Sequence, residues 1–300
     1  MNFQSFQTEL RRIATDVQTF AAIGAALRLR QAKKQIDPEI HARLLAVVEA
    51  ALPGALDGLE PQQVSDSLAQ VTQIIGEATE LFQNPGRPPG WVIQDPDTLQ
   101  GWGRASRQNI RSIMALAADR PGLAAAFTGR FLDVGTGVGA MALEAVERCP
   151  SLQVVGLDIW EPSLALARAN VAASEYAARI EIRAQDVTQL DEAGAYTLAW
   201  LATPFMARPV AEAALDRLAV ALAPNGYLVA GLFAMPPDKA EAVFTALRII
   251  RSGGHIWDTA DMEQQIVARG FVEVETCLLP PTCFVIGRRR WVKRRSTKQK

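Results

Sequence analysis

Apolar residues recur three and four positions apart through most of residues 1–84. ELRRIATDVQTFAAIGAALRL, PEIHARLLAVVEAAL and PQQVSDSLAQVTQIIGEATELF each carry this helical period, with Pro or Asp near their starts. The period breaks at QNPGRPPGWVIQDPD, too rich in proline and glycine for the interior of an element, and resumes over DTLQGWGRASRQNIRSIMALAAD. From Arg130 the pattern becomes strand alternating with helix. The runs RFLDV, QVVGLDI, RIEIRAQDV, YTLAWLA and GYLVAGLF are separated by AMALEAVERC, PSLALARANVAA and PVAEAALDRLAVAL, among others. Such a βαβ rhythm predicts a parallel sheet with helices on both faces. The ending differs: FVEVETCLLPPTCFVIGRRR reads as two strands joined by a turn too short for a crossover, which makes them antiparallel. The predicted organisation is a helical N-terminal domain (1–84), a linker and helix (85–127), an α/β domain (128–290) and a basic tail (291–300).

Composition changes this picture little. Hydrophobic residues make up 49% and charged residues 21%, ordinary for a protein with a sizeable core. No apolar run approaches the ~18 residues of a membrane span, and the first residues lack a signal peptide's apolar middle, so a cytoplasmic protein is expected. Three scattered cysteines and two histidines argue against a zinc site or a disulfide framework. Charge is less even. The net value of −1 hides eight basic residues and no acid in RRRWVKRRSTKQK (288–300), which leaves −9 on residues 1–287. A basic tail suits nucleic acid or an anionic surface, whereas an acidic body argues against a nucleic-acid substrate.

Chemistry concentrates at FLDVGTGVGAMAL (131–143), where a strand runs into three glycines and then a helix. Gly135, Gly137 and Gly139 let a ligand approach backbone closely. The spacing also satisfies the relaxed dinucleotide pattern, which keeps a nicotinamide-dependent oxidoreductase in view. Three features separate the readings. Asp133, inside the strand, is unwelcome beside a pyrophosphate and useful beside an ammonium group. Asp158, ending the second strand, suits a ribose in either reading, and Asp186 in RAQDV is placed for an exocyclic amine. The terminal antiparallel pair is the third discriminator.

At these residues the chain resembles the class I S-adenosylmethionine-dependent methyltransferases: FLDVGTGVG, VVGLDI, RAQDV and LAPNGYLVAG look like the family's successive motifs. The resemblance covers residues 128–290. It implies a Rossmann-like seven-stranded sheet with an antiparallel last strand and S-adenosylmethionine as cofactor. The cofactor-binding residues it implies are Asp133, Gly135, Thr136, Gly137 and Gly139 at the methionine end, Asp158 at the ribose, and Ile159, Gln185, Asp186 and Val187 around the adenine.

A helical region ahead of such a domain is similar to the plant-type O-methyltransferases and their bacterial small-molecule relatives of secondary metabolism. That resemblance implies a homodimer formed through the N-terminal helices. Their catalytic histidine after strand four is absent from LATPFMARPV, and Thr203-Pro204-Phe205 only faintly echoes the signature of nucleic-acid methyltransferases. His255, after a Gly-Gly turn, is the candidate proton acceptor. Trp91, Trp102, Thr203, Phe205, Arg208 and Trp257 are candidates for the acceptor pocket. O-methylation of a small metabolite is the expected chemistry. C- or carboxyl-methylation without a base, and a non-catalytic binding module, are the alternatives.

Overall fold

The computed structural model describes residues 1–32 and 35–290, so the basic tail expected at 291–300 lies outside the described residues. Two compact units form, Met1–Gly86 and Arg87–Lys300. None of the described helices is long and apolar enough to cross a membrane.

The first unit is α1 (Phe3–Ala32), α2 (Pro38–Ala51) and α3 (Pro61–Gln83). Proline at the first helical turn starts α2 and α3, where its missing N–H costs nothing. The Asp37 carboxylate accepts from the Glu39 and Ile40 amides, and Glu60 and Gln63 cap α3 reciprocally. Leu27 packs with Val64, Leu68 and Val71 to make a small core. The N-terminal half of α1 contributes nothing to it. Phe3, Phe6, Leu10, Ile13 and Val17 are 47–76% exposed, and their alternating three- and four-residue spacing sets them on one stripe.

In the second unit, α4 (Pro96–Ala117) and α5 (Pro121–Ala126) precede a seven-stranded sheet. Its strands are β1 (Arg130–Val134), β2 (Gln153–Asp158), β3 (Ile180–Ala184), β4 (Tyr196–Ala202), β5 (Leu222–Phe233), β6 (Phe271–Leu279) and β7 (Thr282–Arg289). Between and after them run α6 (Ala140–Arg148), α7 (Glu161–Ala172), α8 (Arg208–Ala221), α9 (Lys239–Arg251) and α10 (Thr259–Ala268). The strand order is β3-β2-β1-β4-β5-β7-β6, parallel except for β7, which runs antiparallel to both neighbours. Successive residues of β1 enter different cores, Phe131 with Ile110, Leu123 and Phe284 on one face, Leu132 with Leu157, Leu201 and Leu218 on the other.

Strand order reverses direction at the β1/β4 pair, and the carboxyl ends of those strands border the crevice where open α/β sheets bind ligands. The mixed sheet with its antiparallel last strand is the expected one. Trp200 is a core residue of β4. It packs against Phe284 and fills the space a side chain at Gly231 would need.

Candidate active site

The glycine loop is tied to the sheet from below. The amides of Gly135 and Thr136 both donate to the Leu157 carbonyl, at 2.9 and 3.0 Å. Gly135, Gly137 and Gly139 all have left-handed φ (77°, 57° and 75°), so each turn of the loop requires a residue without Cβ. A side chain at Gly137 would meet nothing within 4 Å, which makes this the open floor of the site. Asp133 is 1% exposed and turned inward, accepting a 2.7 Å bond from the Thr136 hydroxyl. It therefore pins the loop from beneath rather than lining its outer surface.

Burial pushes the Asp133 carboxyl up to about 7, with the nearby Asp158 charge adding to the effect and the Thr136 bond opposing it. Between the ordinary aspartate value of ~4 and about 7, the folded chain holds a proton that the unfolded chain releases. This group's contribution is thus fully present at low pH and falls as pH rises through that window. Asp133→Asn, which cannot ionise, is expected to gain stability relative to the unmodified chain between pH 5 and pH 8. Urea unfolding at the two pH values checks it, and a difference independent of pH would contradict it.

Asp158, at the end of β2, faces the loop. One carboxylate oxygen accepts from the Gly137 amide at 2.8 Å, and the other from the amides of Ile159 and Trp160 at 2.8 and 2.9 Å. Burial raises its pKa and the three amides oppose that rise. Beside it Ile159 holds an apolar side chain 75% exposed. After β3, the Gln185 amide donates to the Asp158 carbonyl at 3.0 Å. Asp186 is exposed and caps a short 3-10 turn through the Thr188 amide, and Val187 is buried beneath. These residues occupy successive strand ends: an open glycine floor, a carboxylate, a bare apolar flank and a second carboxylate. That set fits a ligand with a ribose, a flat apolar face and an exocyclic amine, so it suits S-adenosylmethionine.

On the acceptor side the structure brings Trp91, Trp102 and Phe205 into one cluster. Each ring stands edge-to-face on the other two, with centroids 5.3–5.6 Å apart. Phe233, not among the pocket residues that the sequence pattern singles out, joins through Phe205 at 5.9 Å and also lines an adjoining narrow cleft with Thr203, His255 and Trp257. Thr203 is fully buried and donates its hydroxyl to the Gly231 carbonyl at 2.7 Å. Gly254 lies so close to the Pro204 carbonyl that a side chain there would overlap it.

Arg208 is not free to meet an acidic acceptor. Its guanidinium bonds Asp261 at 2.6 and 3.2 Å and Glu212 at 2.8 Å, and lies 4.8 Å from the centre of the Trp257 ring. Trp257 itself is 7% exposed and belongs to the core. Asp261 lies in the first turn of α10, 53 residues beyond Arg208, and the guanidinium holds its carboxyl below the usual range. The chain between Arg87 and Ile93 closes one side of the site. The Arg87 guanidinium and the Gly90 amide both donate to the Arg251 carbonyl, and the Trp160 indole donates to the Ile93 carbonyl at 2.7 Å.

In fold and glycine loop the second unit is similar to the class I S-adenosylmethionine-dependent methyltransferases. Residues 131–226 match the family described as Methyltransferase domain. A demethylmenaquinone methyltransferase of Thermus thermophilus is 37% identical over 111 residues, 37% of this chain. The match covers 50% of that relative, so the chain spans about half of its length. Among solved structures, human N-acetylserotonin methyltransferase in complex with S-adenosylmethionine superposes with a TM-score of 0.67 at 13% identity, covering 97% of this chain and 99% of its own. An O-methyltransferase family protein from Burkholderia thailandensis gives 0.66 at 16% identity, with 98% and 100% covered.

Proposed function

We propose that this chain transfers the methyl group of S-adenosylmethionine to an oxygen of a small, neutral, largely apolar molecule. The observation that carries the reading is the Asp158 carboxylate drawn across the open floor at Gly137. When bound, the cofactor supplies a methyl group on an electrophilic sulfonium. The chain's part is to hold and desolvate the acceptor, for which the Trp91, Trp102, Phe205 and Phe233 rings provide an apolar wall. A neutral acceptor is supported by the cleft lining, which includes Leu232, Phe233, Ile249 and Ile256 and no carboxylate or guanidinium. The inward Thr203 hydroxyl and the covered Pro204 carbonyl leave nothing there to grip a nucleobase amine, which favours a small molecule over nucleic acid. Methyl-labelled cofactor offered with a panel of neutral phenols tests it. Label should enter phenols and not their methyl ethers; label entering neither, with cofactor bound, would overturn O-methylation.

The proposal extends to a homodimer in which residues 1–84 serve as the pairing domain. The exposed stripe Phe3, Phe6, Leu10, Ile13 and Val17 supports it, because its spacing is that of a helix-pairing seam. Ile13→Glu is expected to shift the chain from dimer to monomer in sedimentation velocity, since it places a charge within the stripe. An unchanged dimer would locate the contact elsewhere.

A further inference from the structure

His255 is the only imidazole on the cleft, and its surroundings decide which of its nitrogens is available. Its Nε2 lies 3.5 Å from Nη1 of Arg208. A guanidinium has no lone pair to offer, so the neutral ring turns its own lone pair toward that N–H. The proton of the neutral ring then sits on Nδ1, which has no partner among the described residues. The arrangement is fixed from both sides. Glu212, one turn along α8, and Asp261, on α10, hold Arg208, and the Trp257 ring stands at 84° to the imidazole with its centre 4.9 Å away. These are the charged and aromatic groups that face His255 from the elements packed against it: one cation and two carboxylates already engaged with that cation.

We infer that His255 serves the acceptor as a hydrogen-bond donor through Nδ1–H and not as a proton acceptor, and that Arg208 is the positioning residue that fixes this tautomer. The acceptor therefore presents an oxygen lone pair to His255, and the proton that a hydroxyl acceptor loses on methylation passes to water. This assignment rests on the reading of the cleft as the acceptor site. It also reverses the role that the sequence pattern gives His255, because the partner that fixes the ring is a cation and not a carboxylate.

The test needs no acceptor. His41 and His255 are the chain's two histidines, so long-range ¹H–¹⁵N correlation spectra of the ¹⁵N-labelled full chain at pH 8 resolve each ring, with His255→Gln assigning the signals. The expected spectrum shows Nδ1 protonated and Nε2 bare at His255. In Arg208→Gln the ring should revert to the Nε2–H form that imidazole favours in water. An Nε2–H ring in the unmodified chain would overturn the inference, and so would a tautomer unchanged in a folded Arg208→Gln. Should that variant not fold, Asp261→Asn serves instead. It loosens the guanidinium and should give a mixture of tautomers, and a pure Nδ1–H ring there would count against Arg208. Titration of the same samples with S-adenosylhomocysteine reports on the cofactor site independently, which separates failure of this inference from failure of the functional reading.

Discussion

Asp158→Ala is expected to weaken S-adenosylhomocysteine binding by about 100-fold or more, equivalent to ~2.7 kcal/mol. The substitution removes the acceptor for the Gly137, Ile159 and Trp160 amides together with the carboxylate proposed to meet the ribose. Hydrogen bonds to a charged group contribute ~1.5–3 kcal/mol each, so losing those made to a ligand suffices for this effect. Stability should fall much less. The carboxylate sits where burial raises its pKa, and removing it relieves that cost while water replaces it at a half-open site. Asp158→Asn keeps one acceptor oxygen and should fall between. Calorimetric titration of the three proteins checks the order, and equal affinities would remove Asp158 from the site.

Gly254→Ala is expected to have the second largest effect, at the other end of the crevice. The added Cβ would overlap the Pro204 carbonyl oxygen; the backbone fixes where the Cβ sits and the oxygen is itself backbone, so no side-chain rotation relieves the clash. Either the 253–257 segment or the Thr203–Phe205 turn must move. Overpacking of this kind costs ~1–3 kcal/mol. The functional effect is larger, because the displaced segments carry His255, Trp257 and Phe205. Turnover of an acceptor should drop by more than ~10-fold, while S-adenosylhomocysteine affinity stays within about twofold, since misplacement of ~1 Å costs on the order of 100-fold in rate. A variant with normal turnover would mean that the 253–257 segment takes no part in the acceptor site. One with normal turnover and weakened cofactor binding would mean that the two ends of the crevice have been interchanged.

How much of this was legible in the sequence follows from how local each cause is. The glycine loop, Asp158 and the strands that carry them are set by spacing within a few residues, and β1 and β4 span the residues that alternation predicts. The closing β6/β7 pair was equally readable, because a two-proline turn leaves no room for a crossover. Orientation was not. Nothing in FLDVG says that Asp133 faces Thr136 beneath the loop, since a strand residue just before a turn has either face open to it. Arg208 looked free because its partner Asp261 lies 53 residues away on another helix. Trp200 and Trp91 are chemically alike, yet one fills the space over Gly231 in the core and the other stands in the ring cluster. Only the sheet register and the path of residues 87–93 separate them.

The central claim is that the crevice above Gly137 is built for S-adenosylmethionine. The most direct measurement is a calorimetric titration of the full chain with S-adenosylhomocysteine, run beside the same titration with NADH. The account predicts saturable one-site binding of the first and no heat from the second. NADH binding without S-adenosylhomocysteine binding would contradict it and assign the glycine loop to a dinucleotide.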